Sequence, residues 1–359
     1  MHNLKIDLGA CVRVYSKSSE CSNCANVCPI DAIAFDENIP TVSDTCIDCG
    51  GCIGVCPTEA ISLKNFDTLD FIFGFLESDE NLISCKKNIP CLATLSVENL
   101  IALALLSDET ILDMGHCHSC EIREPLQAQI EANISECNLF LEHIGSDKRI
   151  YTEMIGYEEK TEDIEETPNR RAFLKRFSLK GAVQSKVEFE KRLEEVEKSG
   201  IDVKDTANIR QKKIPDKRKL LFMALKRAQK PHSYHTFIHD EISFTSLKSI
   251  NDTCDNCSMC YRICPTGALS SDQRGSKINF DPLLCVKCAL CHDVCEPDAI
   301  TLIPYSTKEL FEPSIHELIN FKIVRCDECA NFFPYFGGEK ICPRCKIEEE
   351  EAKALWGIQ

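Results

Sequence analysis

The sequence predicts a multidomain α+β chain, and three observations lead there. Cysteines are unusually many, 25 in 359 residues, and most fall at short fixed spacings. Residues 21–56 and 254–295 repeat one cysteine order near the two ends, the mark of a duplicated unit. Between them, strand-like and helix-like apolar stretches give way to a charged segment. These patterns divide the chain into residues 1–65, 66–156, 157–250, 251–312 and 313–359. A hydrophobic content of 43% is ordinary for a globular chain of this length.

Within 66–156, residues 82–85 and 110–113 read as short buried strands, and 96–106 carries helix formers at apolar spacing. Residues 122–143 continue as a second amphipathic helix and 149–155 as a third strand, so this part is expected to be a small parallel α/β domain. In 157–250, Phe173, Leu174, Phe177, Val183, Val187, Leu193 and Val196 recur at helical spacing among charges. Residues 217–230 repeat the pattern between Pro215 and Pro231. Both read as exposed or partner-binding helices in a charged, basic helical linker.

The formal charge of −16 is unevenly spread, because residues 169–230 hold 19 Lys and Arg against 8 Asp and Glu. The cysteine-rich parts are therefore acidic, which suits steering toward a basic partner face as well as plain solvation. The basic segment has few aromatics, which argues against a nucleic-acid partner. Residues 169–175 look like a twin-arginine export motif, but they sit in mid-chain with no apolar stretch after them and read as a basic helix. The first ten residues lack an export signal, and the longest apolar run, at 100–106, is far short of the roughly 20 residues that cross a bilayer. The expected location is cytoplasmic, with no direct membrane insertion.

The second cysteine-rich unit reads Cys254-x2-Cys257-x2-Cys260-x3-Cys264-Pro265, then Cys285-x2-Cys288-x2-Cys291-x3-Cys295-Glu296-Pro297. The first unit has one complete run, Cys46-x2-Cys49-x2-Cys52-x3-Cys56-Pro57, and one irregular run, Cys21-x2-Cys24-x3-Cys28-Pro29. The irregular run has Ser18 where a cysteine is expected; the nearest candidate is Cys11. An iron-sulfide cubane needs four thiolates around it, and a tight loop with two residues between cysteines delivers three to one face. Zinc takes such pairs two at a time and explains neither the third cysteine nor the x3-Cys-Pro ending.

With the Pro-x-x-Ala-Ile/Leu continuations at 29–33, 57–61 and 265–269, both units resemble bacterial dicluster ferredoxins, over about a third of the chain. The resemblance implies two ferredoxin-type dicluster modules, at 1–65 and 251–312, and four [4Fe-4S] clusters. In that family the last cysteine of each run ligates the other cluster. Carried over, Cys254, Cys257, Cys260 and Cys295 hold one cluster, and Cys285, Cys288, Cys291 and Cys264 the next. Cys11, Cys21, Cys24 and Cys56 hold a third, and Cys46, Cys49, Cys52 and Cys28 a fourth. Without Cys11 the third set keeps three thiols, and a [3Fe-4S] cluster becomes the alternative.

Four more cysteines follow two expected strands: Cys85 and Cys91 after the first, Cys117 and Cys120 after the second. Neighbouring parallel strands converge at their carboxyl ends, so a [2Fe-2S] cluster, a zinc ion, a redox dithiol or plain buried thiols all fit. On these four residues alone the arrangement distantly resembles the small iron-sulfur subunit of hydrogenases linked to heterodisulfide reductase. His116 and His118 flank Cys117 without forming a Rieske pattern, and Cys137 reads as core. At the far end Cys326, Cys329, Cys342 and Cys345 form two knuckles of a zinc-ribbon-like segment with an acidic tail. Rubredoxin iron competes there, but Ala330 and Lys346 stand where rubredoxin has glycines.

No flavin or nicotinamide fingerprint appears, and no nucleophile with a base. The expected role is therefore electron transfer, as a subunit or carrier for a larger anaerobic-type oxidoreductase such as a molybdopterin enzyme or a hydrogenase, with no substrate site of its own. Two alternatives stand beside it: an accessory protein that matures a redox enzyme, and thiol or sulfur chemistry at the central cysteines.

Overall fold

The computed structural model describes residues 2–155 and 212–356. The helix expected over 168–198 and the basic motif at 169–175 lie outside them. The architecture is mixed α/β, with several small sheets rather than one large one.

The two cysteine-rich units share one topology. In the first, Leu4–Ile6 pairs antiparallel with Ile61–Leu63, and Ile33–Asp36 forms a hairpin with Ile39–Val42. Glu37 and Asn38 turn that hairpin with φ of 44° and 72°, the left-handed pair that matches the strands' twist. In the second, Leu247–Ile250 pairs with Ile300–Ile303, and Leu269–Ser271 with Lys277–Phe280. Each unit is closed by its first and last strands, with a hairpin between the two cysteine runs.

Two boundaries move as a result. Leu247–Ile250, expected at the end of the charged segment, is the closing strand of the second unit, because it pairs along its whole length with Ile300–Ile303. His316–Asn320, expected in the C-terminal segment, adds a third strand beside Lys277–Phe280. A two-stranded hairpin alone is marginal in water, and a third strand is the usual remedy.

The central part has three parallel strands, Leu82–Ile83, Thr110–Asp113 and Ile150–Glu153, with the second in the middle. Helix Val97–Leu106 starts at a capping box, in which Ser96 accepts from the Asn99 N–H and the Asn99 side chain accepts from the Ser96 N–H. Leu100, Ile101, Ala102, Leu103 and Ala104 are all buried. A helix apolar on every side must be covered on every side. Arg123–His143 covers one flank, and Asp216–Arg227 covers another.

That last helix corrects the expectation of an exposed one. Leu220, Leu221 and Ala224 are fully buried in a core that runs from Leu4 and Cys56 to Phe237 and Tyr305. The charges that suggested exposure are buried with it. Arg218 is fully buried, with Nε 2.5 Å from Glu98 Oε1, and donates to the carbonyls of Leu283 at 2.6 Å and Phe244 at 2.5 Å. Lys217 Nζ donates to the Cys56 carbonyl at 2.6 Å. Glu59 accepts from the N–H groups of Asp216 and Lys217 and so caps the helix start. One helix thus fastens the first unit, the central sheet and the second unit together.

Removing one partner of a buried ion pair leaves the other uncompensated, at about 3–5 kcal/mol, whereas replacing both by apolar groups is often neutral. Glu98 faces two buried cations, Arg218 and Lys217, whose Nζ stands 3.8 Å from Glu98 Oε2, so Glu98→Leu is expected to lower stability by roughly that amount, and a Glu98→Leu/Arg218→Met double variant, which leaves Lys217 its Cys56 carbonyl, to regain much of it. Thermal unfolding of the anaerobic protein by circular dichroism checks this; a double variant no better than the single one would contradict the fastening role.

Candidate metal centres

Backbone geometry repeats through the cysteine runs. In each run the third or second-to-last cysteine sits on a short helix: Cys24 on Asn23–Asn26, Cys52 on Gly51–Val55, Cys260 on Met259–Ile263 and Cys291 on Leu290–Asp293. In the three complete runs two left-handed residues precede that helix, Asp48 and Gly50, Asn256 and Ser258, Lys287 and Ala289. Three residues after the last cysteine of every run stands another, Asp31, Glu59, Gly267 or Asp298. A left-handed residue turns successive N–H groups toward one concavity, which favours an anion there. The N–H groups of Ala32, Ala60 and Ala299 donate to the sulfurs of Cys28, Cys56 and Cys295, each at 3.2 Å. At 29–33 and 57–61 the alanine of the Pro-x-x-Ala continuation is thus the donor to the last thiol, and Ala299 does the same after Glu296-Pro297.

The sulfurs gather in crossed sets, and the charge of each is felt by its neighbours. Burial is the largest cause that pushes up the thiols of Cys11, Cys21 and Cys24, and Cys56 adds to it in all three; Cys24 rises to about 12. Cys46, Cys49 and Cys52 are likewise raised by burial and further by Cys28. In the second unit, burial raises Cys254, Cys257 and Cys260; Asp255 adds to the first two, followed by Cys295 at Cys254 and Cys254 at Cys257, and Cys291, Cys254 and Cys257 add to the third. Cys288 and Cys291 are raised by burial, then by Cys264 and Cys285, with Cys291 at about 12 against the opposing charge of Lys248. The last cysteine of each run therefore lies with the first three of the other, and Cys11 lies with Cys21, Cys24 and Cys56. Cys264, Cys285, Cys288 and Cys291 line one small cavity of about 20 Å³. Cross-talk links the sets within each unit, from Cys52 to Cys24 and from Cys260 to Cys291.

The residues between Cys11 and Cys21 have a use that the spacing did not reveal. They form helix Val12–Tyr15, whose Val12 is buried against Leu290 and Val294 of the second unit. Cys21 and Cys288 pack into this same cluster, and the Glu20 N–H donates to Asp293 Oδ2 at 3.1 Å. The irregular run is the contact between the two units. Lys248 was also illegible: it lies in the closing strand, 3% exposed, with Nζ 2.9 Å from His292 Nε2.

The central cysteines converge as well. Cys85 follows strand Leu82–Ile83, Cys91 precedes the turn Leu92–Thr94, and Cys117 and Cys120 bracket a turn just past Thr110–Asp113. Burial raises Cys91 to about 12, with further contributions from Cys49, Cys85 and Cys117. Burial also raises Cys117 to about 11, assisted by Cys85 and Cys120. Cys137 is fully buried in the core, and no other thiol is among the causes that raise it.

Cys326, Cys329, Cys342 and Cys345 bring their sulfurs within 4.8 Å of one another beside the hairpin of Ile323–Arg325 and Phe332–Pro334. Burial opposes ionisation of Cys326, but the N–H groups of Cys342, Cys329 and Glu328 outweigh it and lower the thiol to about 6. A tetrahedral ion with metal–sulfur bonds of about 2.3 Å sets its sulfurs about 3.8 Å apart; Cys329 and Cys342 stand at 3.6 Å. Among the described residues this is the one group that closes to such a spacing.

Residues 253–299 match the family of 4Fe-4S dicluster domains, and residues 18–66 match the LdpA Fe-S cluster-binding domain. Searches of curated proteins and of solved structures found no match. The chain is therefore an iron-sulfur protein, with cluster-binding domains at the two places where the cysteines repeat. Crossed thiol sets, amides aimed at sulfur and a cavity among the sulfurs all fit an iron-sulfide core. No helix among the described residues is long and apolar enough to cross a membrane.

The first unit and the central sheet meet through backbone. A Cβ on Gly54 would lie 2.2 Å from the Ala93 carbonyl oxygen, and one on Gly51 2.4 Å from Leu126 Cδ2. Forced overpacking costs about 1–3 kcal/mol, so Gly54→Ala is expected to lower the thermal midpoint of the anaerobic protein measurably. A midpoint equal to the parent's would contradict this close docking.

Proposed function

We propose that the chain is an electron-transfer subunit or dedicated carrier with four [4Fe-4S] clusters in two ferredoxin-type modules and one structural zinc. The contact of Val12 with Leu290 and Val294, which brings the Cys21 set against the Cys288 set, carries this reading. It makes two modules into one series: the set of Cys28, Cys46, Cys49 and Cys52, then Cys11, Cys21, Cys24 and Cys56, then Cys264, Cys285, Cys288 and Cys291, then Cys254, Cys257, Cys260 and Cys295. Bound clusters of this type accept and release single electrons without breaking bonds in a substrate.

The chain's own residues hold the thiols, aim amides at them and exclude water from the contact. N–H donors to sulfur stabilise the reduced state, and burial opposes it. The redox chemistry at either end belongs to a partner, an anaerobic-type oxidoreductase of the molybdopterin or hydrogenase kind in the cytoplasm. The acidity of the cysteine-rich parts supports a basic docking face on that partner. The ribbon's Cys326, Cys329, Cys342 and Cys345 suit zinc because a closed four-thiolate site contributes to stability.

Val12→Asp puts a charge into the intermodule contact. It should keep the iron content while removing the part of the EPR broadening that arises between modules in the reduced protein. Spectra identical to the parent's would count against a continuous series. Cys342→Ser should lose one zinc and no iron on metal analysis; loss of iron instead would remove the structural zinc from the account.

A further inference from the structure

The quartet Cys85, Cys91, Cys117 and Cys120 has no part in the series above, yet it is the most convergent group of thiols left over. We propose that it holds a further iron-sulfur cluster, which exchanges electrons with the cluster of Cys28, Cys46, Cys49 and Cys52. The second half of this statement rests on the four-cluster reading; the first does not.

Topology brings the four together. Two parallel strands side by side deliver Cys85 and Cys117 to the same end of one sheet, where ligands of α/β sheets gather. Asp113, fully buried at the end of the middle strand, braces both loops. It accepts from Ser84 Oγ at 2.7 Å, next to Cys85, and from the Gly115 N–H at 2.9 Å, two residues before Cys117. Cys91 arrives from the side of the first module, where its turn is pressed against Gly54 through Ala93. The Ala93 N–H is aimed back at the Cys91 sulfur, as amides are in the two modules.

Spacing decides what fits among them. One zinc ion would draw four sulfurs to about 3.8 Å, as in the ribbon. The central four do not close to within 4.8 Å among the described residues, and neither do the sets of the two modules. A redox dithiol needs two thiols, not four from three separate loops. A core of several irons bridged by sulfide is larger than one ion and matches a wider quartet.

Placement gives the cluster its role. Cys91 is near enough to Cys49 to feel its charge, and its turn is packed against Gly54 of the first module, so the quartet sits at the first module's end of the series. The step is a one-electron exchange: one cluster is oxidised as its neighbour is reduced, with no bond or proton transferred. The outside reductant or oxidant is a redox centre of the partner protein.

The test is iron, sulfide and zinc analysis of the anaerobic full chain and of a Cys117→Ala/Cys120→Ala variant, with Cys137→Ala as a control in the same domain. Two or four irons should be lost in the double variant and none in the control, with about 16 irons for the four cubanes kept. Equal iron in parent and double variant would overturn the proposal while leaving the four-cluster reading untouched. A second zinc in the parent that disappears in the variant would also overturn it. A parent short of the 16 module irons that still loses iron in the variant would sink the four-cluster reading and sustain this one. Should the double variant fail to fold, Cys85→Ser alone gives the same comparison by EPR, where loss or change of one signal supports the proposal and an unchanged spectrum overturns it.

Discussion

Four thiols cannot ionise side by side in a buried site unless cations sit among them. This constraint governs the structure. Burial raises the thiols of Cys24, Cys260 and Cys291 in the crossed sets and of Cys91 in the central group, each to about 12, and neighbouring thiols add to the rise. Without iron, such sets persist only as neutral thiols in poorly filled space, such as the cavity among Cys264, Cys285, Cys288 and Cys291. Iron reverses the balance by turning mutual repulsion into ligation, and metal binding then becomes folding free energy. The short strands and four- or five-residue helices around the cysteines add little to stability by themselves.

The same constraint explains why the surrounding parts are so closely joined. Clusters in series need fixed neighbours, and short elements hold position only when something larger braces them. Helix Asp216–Arg227 does this from within: Lys217 bonds the Cys56 carbonyl, Glu59 caps the helix, and Arg218 reaches Glu98, Phe244 and Leu283. Glycines let backbone meet backbone at Gly54 and Ala93. Across the intermodule contact, Val12 packs against Leu290 and Val294.

Much of this was legible in the sequence because cysteine spacing is a direct record of ligand geometry. The ribbon quartet follows from it, the crossed sets were expected from the resemblance to dicluster ferredoxins, and the meeting of Cys85, Cys91, Cys117 and Cys120 from their places after two neighbouring strands, with Cys11 the nearest spare thiol. The parallel strands also followed, since Thr110–Asp113 and Ile150–Glu153 are short β-branched stretches bounded by helical patterns. What escaped was everything set by tertiary partners. Lys217 and Arg218 look like solvated charges until Glu98 is placed beside them, so Asp216–Arg227 read as an exposed helix. Leu247–Ile250 and His316–Asn320 are too short to announce themselves, and only their pairing shows where the second unit begins and ends. The residues between Cys11 and Cys21 looked like an irregularity because the surface they cover belongs to the other end of the chain.

The central claim, that these thiols are metal ligands and not free groups, is tested most directly by residue-resolved alkylation of the anaerobically purified chain, read by mass spectrometry. Cys257 is the sensitive probe, because its side chain is exposed and a free thiol there would react at once. The account predicts that Cys257 and its fifteen counterparts in the two modules stay unlabelled until iron is stripped, and then label together. Labelling of Cys257 at the rate of a free thiol, with iron still bound, would contradict it.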